Sequence, residues 1–181
     1  MDQTPDSFPL TLDVAADAVR VVQLAESDYR SASFLDERLL AVTGQGTWLE
    51  WPSFAAQAPA GTALGADFIF HMGHVGSTLA ARLLGGHPRV FALREPAVLR
   101  VFAQMELDLD RPESLWSSAD WERRLALFMR LYARVWRPQQ RALVKATSQV
   151  SEIAPRLMDQ APGARAFLMY VAPEPYLATI L

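Results

Sequence analysis

The chain has 181 residues, 51% apolar, 10% aromatic and 20% charged, with 17 basic and 20 acidic side chains and a formal charge of -3. That composition predicts a globular chain with an ample core and excludes a disordered, collagenous or disulfide-stapled one. No basic field spans the sequence to attract nucleic acid or anionic lipid, and the absence of cysteine removes thiolate catalysis and Cys-ligated metal centres.

Met1 to Leu10 carries Asp2, Asp6 and two prolines with no basic flank or apolar run, so it does not read as a signal peptide. No apolar stretch approaches the roughly 18 to 20 residues of a membrane span, and the expectation is a soluble, cytoplasmic protein. Leu10 to Leu24 suggests one or two short strands, and Thr47 to Trp51 (TWLEW) alternates like a half-buried strand. Ala55 to Gly65 is small, uncharged and rich in Pro and Gly, which places a boundary between an N-terminal extension, 1–65, and a second region, 66–181.

Beyond the boundary the pattern is regular. Asp67 to Met72 reads as a buried strand, Ser77 to Leu84 as a helix stopped by Gly85, Gly86 and Pro88, and Val90 to Leu93 as a second strand. Pro96 is expected to open a helix, and Ser117 or Ser118 to cap a long amphipathic one from Ala119 to Trp136. The aromatic stripe Trp121, Phe128, Tyr132 and Trp136 of that helix reads as core, and Arg123, Arg124, Arg130 and Arg134 as its solvated side. Ala142 to Val144, Ser151 to Met158 and Ala166 to Val171 repeat strand, helix, strand, and Pro173 begins another helix. This alternation predicts an α/β fold with a mainly parallel sheet.

The chemistry concentrates in Phe68 to Leu84, FIFHMGHVGSTLAARLL, where a strand runs through glycines into a helix opened by two hydroxyls. Unpaired N–H groups and the positive end of the helix dipole make such a turn an anion cradle. Gly73 and Gly76 allow close approach, and Ser77 and Thr78 add donors. The nucleotide-hydrolysing pattern GxxxxGK[ST] is not met: Ser77 stands where the lysine belongs and His71 where the first glycine belongs. Neither Val90 to Leu93 nor Ala166 to Val171 ends in an aspartate that would hold Mg²⁺, so metal-free transfer is expected rather than kinase chemistry. His71 and His74 form HxxH without a third ligand at suitable spacing, and no metal is expected there. Lys145, the one lysine among seventeen basic residues, falls at the end of a predicted strand, the edge where open α/β sheets place ligands.

These residues resemble the P-loop sulfotransferases, over about Asp67 to Leu181. The loop His74, Val75, Gly76, Ser77, Thr78 is similar to the family's cationic residue, small residue and Gly-[ST]-Thr, with His74 in the cationic place. Leu83, Leu84, His87, Pro88 and Glu95 match a second family pattern, and LVKATS with MYVAPEPYLAT matches a third. The resemblance implies a three-layer, P-loop nucleoside triphosphate hydrolase-like fold and transfer of a sulfuryl group from 3'-phosphoadenylyl sulfate (PAPS) to an acceptor hydroxyl or amine on a small molecule or peptide. It further implies that Gly73, His74, Val75, Gly76, Ser77, Thr78, Lys145 and Thr179 bind the donor. Glu95 would act as general base, and His74 would stabilise charge on the bridging oxygen. Two departures stand out: Val171 takes the place of the arginine that grips the 3'-phosphate, and Thr179 that of the accompanying serine. Arg165 or Arg82 would have to compensate. Family domains also continue further, so the chain reads as truncated after Leu181. The alternatives are a non-catalytic adenine-nucleotide-binding module and, more remotely, a P-loop kinase.

Overall fold

The computed structural model describes residues 4–58, 65–109 and 111–180, without the side chains of residues 175, 179 and 180. Three N-terminal strands, β1 (Ser7–Asp13), β2 (Ala18–Gln23) and β3 (Thr47–Glu50), form an antiparallel sheet in that order. Phe8, Leu10 and Leu12 alternate onto its buried side, and Pro9, which cannot donate to a ladder, sits on the edge strand beside a register shift. Short helices α1 (Glu26–Ser31) and α2 (Leu40–Thr43) lie between β2 and β3, and α3 (Trp51–Ala56) follows β3. Trp51, the last residue of the TWLEW alternation, opens α3 instead of ending the strand and is thereby turned into the core.

The second sheet is parallel, built from β4 (Asp67–His71), β5 (Val90–Arg94), β6 (Arg141–Lys145) and β7 (Ala166–Met169) in the spatial order β5-β6-β4-β7. Helix α4 (Ser77–Gly85) follows β4, α5 (Val98–Glu106) and α6 (Ser118–Tyr132) follow β5, and a 3-10 turn (Ser148–Ile153) with α7 (Ala154–Asp159) follows β6. Helix α8 (Pro173–Ile180) follows β7. The chain is therefore a mixed α/β protein with helices on a parallel four-stranded sheet.

Side-chain alternation divides the packing between the two faces of that sheet. Phe68, Phe70, Phe91, Leu93, Ala142 and Val144 join the large core that also holds α5, α6, α7 and the antiparallel sheet. Ile69 and Leu143 point the other way, onto Ala81 of α4. Gly85 of α4 is required where the helix crosses β5, because a Cβ there would lie 2.9 Å from that of Ala92. One contiguous core runs from Phe8 and Leu10 to Val150 and Leu157, so residues on both sides of the 55–65 connection share it.

Several boundaries move for identifiable reasons. Helix α6 is capped by Ser117, whose hydroxyl accepts from the Asp120 amide at 3.1 Å, but it ends at Tyr132 rather than Trp136. The amides of Trp136 and Arg137 donate to the Gln140 side chain at 3.1 and 3.0 Å, which replaces the helical bonds they would otherwise make. The predicted 151–158 helix splits into the 3-10 turn and α7, with Pro155 in the first turn of α7. Trp121, Phe128 and Tyr132 are core, as their spacing implies, with Trp136 half-buried.

Two arginines expected on the solvated side of α6 and just beyond it are buried. Arg124 is 6% exposed, its guanidinium 4.1 Å from the ring centroid of Trp51 and 4.9 Å from that of Trp116, and paired with Asp17. Arg134 donates to the carbonyls of Thr4 and Ser7 and so pins the N-terminal segment. Aromatic surroundings and backbone acceptors let a guanidinium enter a core that spacing alone would deny it.

Candidate functional site

Strand order locates the crevice. From β4 the chain leaves by α4 on one face of the sheet, and from β6 it leaves by the 3-10 turn and α7, which belong to the core on the other. Adjacent parallel strands whose connections part to opposite faces open a gap at their carboxyl ends, where α/β sheets hold ligands.

The segment 72–76 fills that end of β4. His74 is exposed and held at φ +58°, and Gly76 at φ +77° is the N-cap of α4, with open space where a Cβ would stand. A left-handed histidine is strained, and such strain concentrates at functional turns. Ala80 donates to the Gly76 carbonyl at 3.0 Å, which begins the helix and leaves the first-turn amides without helical acceptors. Ser77 is buried, Val75 and Thr78 are half-buried, and Gly73 lies beneath Tyr176, whose hydroxyl would be 3.7 Å from a Cβ at that position. The expected loop residues thus sit together where backbone donors and the helix dipole favour an anion.

Glu95 and Lys145 come together on the same edge of the sheet. Lys145 ends β6 opposite Arg94, is 2% exposed, and its ammonium makes an ion pair with Glu95 Oε1. The Lys145 Nζ also lies 5.8 Å from the centroid of the Phe34 ring. Glu95 is a second strained residue, at φ +53°, and its amide donates to the Lys145 carbonyl at 2.7 Å. The Leu35 segment clamps this turn: the Leu35 amide donates to the Arg94 carbonyl and its carbonyl accepts from Ala97. The partner of Glu95 is therefore Lys145, fifty residues away, rather than its neighbours Arg94 or Arg100.

Three further arginines have partners of their own. Arg94 is buried under α1 and donates to the carbonyls of Tyr29, Arg30 and Ala32, closing that helix; burial and the charge of Arg82 hold its pKa below the ordinary guanidinium value. Arg165 precedes β7 at the opposite, amino end of the sheet and pairs with Asp67, which removes it as a substitute for the arginine absent at position 171. Arg82 bonds the Ser33 hydroxyl at 2.8 Å. Val171 adjoins the loop, its amide donating to Met72 Sδ at 3.4 Å. The side chain of Thr179 lies outside the described residues. His87 is exposed in the α4–β5 turn, where its Nδ1 accepts from the Arg89 amide.

Sequence reasoning underrated His71. It is 6% exposed, with both ring nitrogens 2.8 Å from backbone carbonyl oxygens, those of Met72 and Ala146. The second partner is 75 residues away, and no local pattern announces it. Beside it a cleft of about 580 Å³ is bounded by Gly73, His74, Glu152, Tyr170 and Tyr176. Among the described residues no group of three His, Asp or Glu side chains could hold a metal ion, and no helix is long and apolar enough to cross a membrane. No protein-family model, curated protein or solved structure matches the chain.

Proposed function

We propose that the chain is a cytoplasmic, P-loop sulfotransferase-like domain, with a nucleoside triphosphate hydrolase-like fold, that transfers a sulfuryl group from PAPS to an acceptor hydroxyl or amine. The observation that carries this reading is the convergence, at one carboxyl edge of a parallel sheet, of an anion-cradling turn and a carboxylate–ammonium pair.

The residues present fit the phosphosulfate end of the donor. Gly76, Ser77 and Thr78 would hold its oxygens through first-turn amides and hydroxyls, and the donor supplies the sulfuryl group together with a phosphate leaving group. Glu95 is one-fifth exposed and turns only one of its oxygens to Lys145, so Oε2 is the atom to receive the acceptor proton. Lys145 orients that carboxylate and brings a fixed positive charge to the edge where negative charge moves from acceptor to leaving group. His74, on the exposed crest of the loop, would stabilise charge on the bridging oxygen.

The 3'-phosphate end fits less well, because Val171 offers no cation and Arg165 is held at the other end of the sheet. That observation favours a second reading, a module that binds adenine nucleotides without transferring sulfate. A kinase reading is weaker, since the loop has no lysine. Incubation with PAPS and a panel of hydroxyl and amine acceptors, monitoring release of 3'-phosphoadenosine 5'-phosphate, separates them. Turnover that Glu95→Gln abolishes, with donor affinity changed by less than about twofold, is the expected result. Donor binding without turnover across the panel would favour the module.

A further inference from the structure

The amino end of the parallel sheet carries a second cleft, on the face that α4 covers only in part. Phe167 of β7 is in register with Ile69 of β4, so it shares the face on which Ile69 packs against Ala81 of α4. Helix α4 lies over β4, β5 and β6, and Phe167 is left 61% exposed. Beside it a cleft of about 800 Å³ has Leu84, Leu143 and Phe167 in its apolar floor. Strand β4, five residues long, separates this cleft from the turn at its other end by roughly 15 Å.

The rim of the cleft is one-sided in charge. Arg89, Arg141 and Arg165 line it, and Asp67 is the one carboxylate among the described lining residues. Both oxygens of Asp67 are already used: Oδ1 accepts from Arg141 Nε and from the Arg165 amide, and Oδ2 from Arg165 Nη2, each at 2.9 Å. Arg141 also donates to the Gly163 carbonyl at 3.1 Å, so two of the three arginines are held in place from within the fold. Arg89 is exposed, and its guanidinium has no hydrogen bond or ion pair among the described residues. The remaining titratable group, His87, carries no negative charge in either form.

We propose that this cleft binds a single amphiphilic organic anion, its acidic head on Arg89, Arg141 and Arg165 and its apolar body along Leu84 and Phe167. Charge complementarity selects the head, since three guanidiniums face one carboxylate that is already satisfied, and a guanidinium forks onto carboxylate, sulfate or phosphate oxygens. Because Asp67 holds Arg141 and Arg165 side by side, less side-chain freedom is lost when the head docks. The floor selects the body, because covering Phe167 and Leu84 removes apolar surface from water. Size decides between a molecule and a single ion: the cleft falls within the roughly 300 to 1,000 Å³ of sites that enclose small organic ligands. The site lies at the opposite end of the sheet from the anion-cradling turn and does not depend on the reaction proposed there.

The test is a calorimetric titration of the full chain at neutral pH with sodium dodecanoate, and with dodecyl maltoside as the same alkyl chain under an uncharged head, each below its micellar concentration. Dodecanoate is expected to saturate one site, and the maltoside to bind at least about tenfold more weakly. Arg89→Gln and Phe167→Ser, both at exposed positions where the fold should tolerate them, are each expected to weaken dodecanoate about tenfold. In an NMR map of the same titration, Leu84, Phe167 and the Arg89 side chain should shift while the Gly76 to Thr78 amides stay in place. Equal affinity for the two heads, no saturable binding, or binding that neither substitution weakens overturns the proposal. Shifts centred on Gly76 to Thr78 would put the anion at the turn instead and overturn it as well. A dimer in sedimentation velocity that Phe167→Ser dissolves also overturns it, because a second copy of the chain then covers this face.

Discussion

Replacing Glu95 by alanine strands a buried charge. Lys145 is 2% exposed and Glu95 is its ion-pair partner, while the Glu95 side chain is 20% exposed and reaches water from one side. The two ends of the pair are therefore unequal. Glu95→Ala leaves an ammonium in the core without its carboxylate, a change worth about 3 kcal/mol in comparable buried pairs. Lys145→Met removes the charge, keeps most of the volume and leaves a carboxylate that water can solvate, for a loss of about 1 kcal/mol or less. In the Lys145→Met background Glu95→Ala should then be nearly silent, so the double-mutant cycle should return a coupling of about 3 kcal/mol. Alanine is the right probe because glycine would also relieve the backbone at φ +53° and obscure the result. Urea unfolding at neutral pH measures the four proteins, and for a chain of this length Glu95→Ala should lower Tm by roughly 6 to 12 °C. Equal losses from the two single variants, or a coupling below about 0.5 kcal/mol, would refute the view that Lys145 depends on Glu95 for its charge.

Other outcomes follow from single contacts. His74→Gly should raise stability by about 1 kcal/mol in thermal or urea unfolding, because φ +58° suits glycine, while weakening anion binding if the imidazole serves the loop. Burial pushes the Asp67 carboxyl up, but the amide and guanidinium of Arg165 and the guanidinium of Arg141 outweigh it, and its pKa lies below 3.8 in the folded chain. A depressed folded value gives stability that is complete above the unfolded pKa and is lost as pH falls from it through the folded one. Asp67→Asn should therefore flatten the acid limb of a stability–pH profile below about pH 4 and lower the plateau above it. Arg124→Leu should cost about 2 kcal/mol in urea unfolding by removing the cation between Trp51 and Trp116, with little response to salt because the site is buried.

The parallel sheet was readable because its strands are short apolar runs bounded by glycine, proline and charge, and α4 because hydroxyls open it and glycines close it. Period and punctuation are local properties, and they placed β4, the loop and α4 nearly to the residue. Helices α1, α2 and α3 escaped notice because six or four residues are too few to show a period; tertiary contacts hold them, as Arg94 holds α1. Arg124 and Arg134 were misplaced for the related reason that a guanidinium's partners, here Trp51, Trp116, Thr4 and Ser7, are distant in sequence. The loop residues of the site were legible as a group, and so was the position of Lys145 at a strand end. That Glu95 and Lys145 are paired, that Arg165 lies at the wrong end of the sheet, and that His71 bonds Ala146 are facts of strand order. No spacing rule within one segment contains them.

The central claim is that the turn from β4 into α4 binds the phosphosulfate end of an adenine nucleotide, with Glu95 and Lys145 on the same edge. An ¹⁵N-resolved NMR titration with 3'-phosphoadenosine 5'-phosphate, alongside ADP, tests it most directly. The account predicts saturable shifts centred on the amides of Gly76, Ser77 and Thr78 and spreading to Glu95 and Lys145, with a modest preference between the two ligands because Val171 offers no cation to the 3'-phosphate. Saturable binding that leaves those amides unmoved, or no binding of either nucleotide, would contradict it.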